Sequence, residues 1–163
     1  AMFEGNNALY PDTTGTVIFE GAQGLLLDER YGWFPHVTRG DVSPYHADVL
    51  CDKWDIDQVV SLGIIRSYVT RHGAGPFPSY DHELTDKIID DNTHNRWQGD
   101  IRCGWWTPEL VDKIPLNLID KLVVNCVDQI SFPSDIHELF NRPIVMYGYG
   151  RASCDKTLIQ EIF

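Results

Sequence analysis

The sequence lacks the features of a zinc-binding, disulfide-linked or membrane-spanning protein. Its four cysteines lie far apart and form no C-x-x-C pair, which argues against a zinc site and a disulfide scaffold. No apolar run approaches the roughly 20 residues of a membrane helix, and no secretory signal opens the chain. These absences predict reduced thiols, a cytoplasmic location and no membrane contact.

Basic residues are also scarce. The chain has 13 Lys and Arg against 24 Asp and Glu, and its formal net charge is -11. Because binding to nucleic acid is driven by clustered Lys and Arg, we expect no nucleic-acid partner. A few local arginines can still build a positive pocket for a small anionic ligand on an acidic protein.

The chain is long enough for one domain, residues 1–163, with a sizeable core. Hydrophobic residues make up 43% of it. Short and mostly apolar runs predict four strands: Gly15–Glu20, Arg66–Thr70, Leu122–Val127 and Pro143–Tyr147. Continuous apolar strands suit a sheet that is covered on both faces. We therefore predict an α/β fold with a mixed or mostly parallel sheet flanked by helices.

Helices are predicted at Ser43–Lys53, Thr107–Lys113 and Cys154–Phe163, the last with Ser153 as its N-cap. Two further blocks, Arg71–Ser79 and Asp90–Trp106, are too broken for regular structure and are predicted as loops. Their composition is equally typical of functional loops and of ordinary surface connections.

Four strings follow one another along the chain: VIFEGAQGLLLDERYGWFPHVT, YVTRHGAGPFPS, RCGWW and YGYGRASCDKTLI. In sequence and spacing they resemble the C-terminal half of the adenylosuccinate synthetases, from Thr16 onward. That family adds aspartate to a 6-oxopurine nucleotide and uses GTP to phosphorylate the 6-oxygen first. The resemblance implies the C-terminal portion of that family's phosphate-loop fold.

The resemblance implies a nucleotide site around the first string. Gln23 and Gly24, in the EGAQG turn, match a segment that contacts the purine nucleotide. Leu27 matches a position whose backbone touches the base, and Thr38 matches a hydroxyl that holds the phosphate. The alternative is a plain tight turn with Gln23 facing water.

The second string resembles the family's segment beside the sugar, which implies substrate contacts for Arg71, His72 and Gly73. His72 stands where the family usually has a small apolar residue, and it is also typical of a hydrogen-bonded loop histidine. Arg71 is either a positioning cation or a surface salt-bridge partner.

The third string departs from the family's aspartate-binding loop. Gly99 and Arg102 remain, but Asp100 stands where the family has its first arginine. A guanidinium binds a carboxylate through two parallel N–H donors, whereas an aspartate side chain offers no such donors. The resemblance therefore implies altered aspartate and sugar recognition, which favours the phage-type relatives that act on dGMP.

The resemblance also implies a site for the base of the triphosphate donor. Asp128 takes the place of the aspartate that reads guanine, and Cys126 replaces the lysine of that motif. Gly148 and Gly150 match the family's closing base-side turn. Asp128 suits GTP, and the missing lysine leaves ATP open.

The family's phosphate loop and its catalytic Asp and His belong to an N-terminal half that these residues do not contain, and GAGPFPS lacks the lysine of such a loop. We therefore assign no catalytic residue or cofactor to this chain and expect it to be inactive alone. The complete enzyme implies Mg and GTP or ATP, and a homodimer or association with a phosphate-loop-bearing half.

Two other interpretations remain open at this level. The chain could be a non-catalytic or regulatory relative that binds a purine nucleotide, or a soluble α/β domain whose loops are packing features. Its five tryptophans, including Trp97, are typical of a core or an interface.

Overall fold

The computed structural model describes residues 15–92, 94–130 and 136–162. Within them the helices are α1 Tyr45–Lys53, α2 His82–Lys87, α3 Pro108–Val111 and α4 Ile136–Phe140. The strands are β1 Leu62–Arg66, β2 Val69–His72, β3 Ile101–Gly104, β4 Lys121–Asn125, β5 Ile144–Gly148 and β6 Lys156–Leu158. None of these helices is long and apolar enough to cross a membrane.

The strands form one large sheet and one small sheet. The large sheet has the order β1-β4-β5-β6, in which β1, β4 and β5 are parallel and β6 is antiparallel to β5. The small sheet is the antiparallel pair of β2 and β3. The predicted α/β class with a mixed sheet and flanking helices is confirmed.

The core lies on the two central strands of the large sheet. Leu122 and Val124 of β4 are fully buried, and they belong to one cluster with Ile136 and Phe140 of α4. Trp106 packs edge-on against Phe140 with 4.9 Å between ring centroids. Full burial of a side chain of this kind contributes about 2 kcal/mol, so these strands carry much of the stability.

Strand β1 forms an open edge of the large sheet, because β4 is its sole strand partner among the described residues. Leu62 and Ile64 are exposed, Ile64 to 68%, whereas Ile65 packs against the core. Parallel strands are ordinarily covered on both faces, so this edge presents an apolar surface to its surroundings.

Three of the predicted elements are confirmed with small shifts of their ends. Leu122–Val127 contains most of β4, Pro143–Tyr147 contains most of β5, and Ser43–Lys53 contains α1. Strand β4 ends at Asn125 because Cys126 adopts a φ of +59°, which an extended strand cannot continue.

The predicted strand Gly15–Glu20 is wrong. The segment is irregular and mostly exposed, and Ile18 is 86% exposed. A strand satisfies its backbone groups by pairing with a neighbour, and no described strand pairs with this segment. Apolar composition alone therefore gave a false strand.

The predicted single strand Arg66–Thr70 is also wrong, because the chain changes sheets within it. Strand β1 ends at Arg66 and β2 begins at Val69. Between them, Ser67 is fully buried, its N–H donates to the Asn125 carbonyl and its hydroxyl donates to the Cys126 carbonyl, each at 2.8 Å. These bonds hold the bend that leads from the large sheet to the small one.

The predicted helix Cys154–Phe163 is wrong as well. Residues 153–155 form a 3₁₀ turn, which follows Ala152 instead of a Ser153 cap, and β6 comes next. The Asp155 carboxylate closes the turn by accepting the Ala152 N–H at 2.9 Å. Pairing of β6 with the open edge of β5 outweighs the local helical preference. Phe163 lies outside the described residues.

The remaining predictions are confirmed only in part. Thr107–Lys113 contains the shorter helix α3, and the Thr107 side chain caps it by accepting the Leu110 N–H. The predicted loop Asp90–Trp106 contains β3, and the predicted loop Arg71–Ser79 begins inside β2.

Candidate functional site

An open cleft lies between the small sheet and the loops around it. It has two adjoining lobes that share Gly73, Ala74, Trp97 and Gln98. The Thr38 lobe is further lined by Leu27, His36, Val37, Thr38, Arg71 and His72. The Arg102 lobe is further lined by Gly75, Tyr80, Gly99, Asp100 and Arg102.

The cleft brings together eight residues that the sequence singled out from three separate strings. They are Leu27, Thr38, Arg71, His72, Gly73, Gly99, Asp100 and Arg102. Gln23 and Gly24 are exposed and line neither lobe. Their contact with a nucleotide stays a prediction.

Thr38 is held by its backbone to the segment that carries the buried Asp28. The Thr38 N–H donates to the Leu27 carbonyl at 2.7 Å, and Asp28 forms a bridge with Thr38. The Asp28 carboxylate is fully buried and accepts from the Arg30 Nε at 2.9 Å and the Val42 N–H at 3.0 Å. The hydrogen bonds from the Arg30 side chain hold the pKa of Asp28 well below its usual value.

Arg71 joins the two loops that border the Thr38 lobe. Its Nη2 donates to the His36 carbonyl at 3.0 Å and to the Ala74 carbonyl at 2.8 Å. The guanidinium is buried and lies 5.9 Å from the Trp33 ring centroid. Burial and then the charge of Arg102 lower the pKa of Arg71.

Arg102 binds the same glycine-rich loop from the other side. Its Nη2 donates to the Gly73 carbonyl at 2.6 Å and to the Gly75 carbonyl at 3.1 Å. Gly75 has a φ of +109°, and a Cβ there would lie 2.5 Å from the Arg71 Nη2, so glycine is required.

Neither Arg71 nor Arg102 forms an ion pair with a carboxylate among the described residues. Their hydrogen bonds go to backbone carbonyls, which leave the positive charge uncompensated. The protein as a whole has a net charge of -11, but the two arginines give the cleft a local positive charge that attracts an anion.

Two histidines fix the loop that carries Asp100. The His72 Nε2 lies 3.0 Å from the Gly99 carbonyl and joins β2 to the turn before β3. His94 pairs with Asp100, with 2.9 Å between Nδ1 and Oδ1, and both side chains are exposed. The carboxylate of Asp100 therefore faces a histidine.

Sequence reasoning missed seven residues that line the cleft: His36, Val37, Ala74, Gly75, Tyr80, Trp97 and Gln98. Trp97 was expected in a core or an interface. A core position is wrong, because the side chain is 81% exposed. An interface position stays a prediction. The Asn95-x-x-x-Gly99 spacing, which is typical of a tight turn, was the available signal.

The residues predicted to hold the donor base lie at the carboxyl ends of β4 and β5. Gly148 ends β5, Gly150 follows it, and Asp128 is exposed on the turn after β4. The Asn125 Oδ1 is buried there without a hydrogen-bond partner among the described residues. It lies 2.2 Å from where a Cβ on Gly148 would stand, so glycine is required there. In open α/β sheets ligands bind at this end of the strands.

The magnesium ion that the resemblance implies has no ligand set of its own in the part of the chain that the structure describes. No group of three or more His, Cys, Asp or Glu residues there could hold a metal ion. We therefore derive no step through a metal.

The sheet and the cleft together define the class of the molecule. It is an α/β protein with an open, arginine-lined cleft built by loops beside a small antiparallel sheet. The family model for adenylosuccinate synthetase matches residues 6–138, which is most of the chain. The chain belongs to the adenylosuccinate synthetase family.

Curated relatives have the same family name. The chain is 32% identical over 147 residues to an adenylosuccinate synthetase of Ehrlichia chaffeensis, a match that covers 86% of this chain and 32% of the relative. It is 34% identical over 128 residues to that of Halothermothrix orenii, covering 71% and 28%. The chain thus spans about a third of the length of these relatives.

Two solved structures share the fold. The succinoaminodeoxyadenylate synthetase of cyanophage S-2L, bound to dGMP and dATP as an energy donor, matches with a TM-score of 0.64 at 16% identity, over 85% of this chain and 45% of that one. The fully ligated adenylosuccinate synthetase of Plasmodium falciparum matches with a TM-score of 0.62 at 17% identity, over 86% and 49%.

Proposed function

We propose that this chain forms the nucleotide-binding portion of a ligase that joins aspartate to a 6-oxopurine nucleotide, IMP or dGMP, with GTP or ATP as donor. The observation that carries the proposal is the cleft between Thr38 and Arg102, in which two guanidinium groups lack a carboxylate partner among the described residues. A nucleoside monophosphate suits it, because it combines a dianionic phosphate with a planar base.

In this proposal, the residues of the chain bind and orient the substrate. The Thr38 hydroxyl binds the phosphate, the Leu27 backbone contacts the base, and Arg71 keeps both walls of the lobe at a fixed separation through its carbonyl contacts. Arg102 supplies positive charge for the aspartate carboxylate. No proton transfer to or from the 6-oxygen is assigned to the residues of the cleft.

The deoxynucleotide dGMP is the favoured substrate. Asp100 stands where the family has an arginine, and it is engaged by His94. Unlike an arginine, an ionised carboxylate donates no hydrogen bond to a ribose oxygen, and the Oδ1 of Asp100 already contacts His94. The bound dGMP named for the cyanophage S-2L structure is consistent with this choice.

Calorimetry with single nucleotides tests the substrate. We expect dGMP to bind at least about tenfold more tightly than IMP, a difference of about 1.4 kcal/mol. Arg71→Lys should weaken both, because one ammonium group cannot reach the His36 and Ala74 carbonyls together. Gly15→Ala, at an exposed glycine outside the EGAQG turn with open space around it, is the control. Tighter binding of IMP contradicts the deoxynucleotide choice, and no binding of either contradicts the proposed site.

A non-catalytic nucleotide-binding relative is the second candidate. The observation that favours it is the His94–Asp100 pair in the loop that otherwise grips aspartate. The open edge of β1, with Ile64 68% exposed, instead favours the ligase, because the longer relatives offer further chain to cover it.

Complementation separates the two candidates. The chain is mixed with a polypeptide that carries the phosphate-loop portion of a family member, and aspartate-dependent release of inorganic phosphate is measured with dGMP and GTP or ATP. We expect turnover in the mixture and none in either component. Nucleotide binding without turnover in a mixture that associates would favour the non-catalytic relative.

A further inference from the structure

Trp97 lies at the tip of a closed turn. The Gly99 N–H donates to the Asn95 carbonyl at 2.7 Å, and the Asn95 N–H donates back to the Gly99 carbonyl at 3.2 Å. Inside the turn, the Asn95 Oδ1 accepts the N–H groups of Trp97 at 3.0 Å and Gln98 at 2.9 Å. These bonds fix the position of the Trp97 backbone beside the cleft.

The indole of Trp97 is placed in solvent and not in a core. It is 81% exposed, yet it borders both the Thr38 lobe and the Arg102 lobe. The Arg96 guanidinium lies over the ring, with its Cζ 4.3 Å from the centroid. Because a guanidinium covers one face of an indole, the opposite face is available to a second planar group.

We propose that Trp97 stacks on the purine ring of the mononucleotide bound in the cleft, so that guanidinium, indole and base form three layers. The inference rests on the proposed function, since it names a contact of the same ligand. No other residue of the cleft places so large an exposed aromatic surface against both lobes.

The chemistry of the cleft selects a nucleotide over other planar partners. The phosphate binds beside Thr38 and meets the positive charge of Arg71, and the base supplies the flat π surface that stacks on an indole. A purely apolar partner would leave both guanidinium charges unmatched. Stacking depends little on the base, so Trp97 contributes affinity while the choice between purines belongs to other residues.

The test uses the whole chain and three variants, with affinities measured by calorimetry. Trp97→Ala should weaken dGMP binding by about tenfold, and Trp97→Phe, which keeps an aromatic face, by no more than about threefold. Ribose 5-phosphate, which has no base, should bind the wild type and Trp97→Ala equally. Trp105→Phe is the matched control, because Trp105 is only partly exposed and its Nε1 donates to Asp81 at 2.8 Å outside the cleft.

Tryptophan fluorescence supplies a second measurement. The quenching that dGMP causes in the wild type should be lost in Trp97→Phe and kept in Trp105→Phe. Equal dGMP affinity in the wild type and in Trp97→Ala overturns the stacking contact and leaves the nucleotide site standing. Absence of dGMP binding in the wild type overturns the proposed function, and the stacking contact with it.

Discussion

Replacement of Gly104 by alanine is expected to lower the free energy of unfolding by about 3 kcal/mol. Gly104 is buried in β3, and a Cβ there would lie 2.2 Å from the Ser79 carbonyl oxygen and 3.0 Å from the Phe77 ring. The added Cβ would clash with backbone atoms, which cannot relieve the clash by a rotamer change as a flexible side chain can. Ser79 and Tyr80 must therefore move, and Tyr80 lines the Arg102 lobe.

Urea unfolding followed by circular dichroism measures this effect, and dGMP affinity of the folded variant reports the shift of Tyr80. The matched control is again Gly15→Ala, whose added Cβ meets no atom within 4 Å and should change the stability by less than about 0.5 kcal/mol. A Gly104→Ala variant as stable as that control would show that β3 and the Ser79 segment pack less tightly than described.

Asp28→Asn is expected to lower the free energy of unfolding by about 2 kcal/mol at pH 7. The carboxylate accepts the Arg30 N–H, two donors of the Arg30 side chain and the Val42 N–H. An amide has one acceptor oxygen, and its NH₂ group faces donors, so this buried arrangement cannot be satisfied.

The effect of Asp28→Asn also depends on pH. The pKa of Asp28 is lower in the folded chain than its ordinary 3.8, so its stabilisation is complete above about pH 5 and is lost as the pH falls through the folded value. The stability gap between the wild type and Asp28→Asn should therefore narrow below pH 4. Denaturant unfolding at pH 7, 5 and 3 measures it, with the exposed Asp57→Asn as control. If the difference in free energy of unfolding stayed constant down to pH 3, the ionised Asp28 carboxylate would not be the source of the stabilisation.

The central strands of the sheet could be predicted from the sequence because burial on both faces leaves a continuous apolar run. That signal held for Leu122–Val127 and Pro143–Tyr147. It failed for Gly15–Glu20, which has the same composition, because composition does not reveal whether a neighbouring strand is present. It failed for Cys154–Phe163 because pairing with β5 is a long-range contact that local patterns do not contain.

The site was predictable to the extent that the family resemblance supplied it. Three strings far apart in sequence proved to line one cleft, which no local rule could derive. Arg71 was left open between a positioning cation and a surface salt bridge, and its buried contacts with backbone carbonyls favour the first. A core position for Trp97 was wrong because residue type does not fix exposure, and an interface position for it stays a prediction.

The uncovered side of β1 has a practical consequence for the protein in solution. An apolar edge strand that no described strand covers is a surface through which identical molecules can polymerise, and β1 has neither lysine nor proline, with Arg66 as its one charged side chain. Mutual repulsion between molecules that each carry a charge of -11 opposes such growth. Salt at 0.1 M screens that repulsion beyond about 10 Å. Concentrated solutions of the protein should therefore aggregate least at low ionic strength.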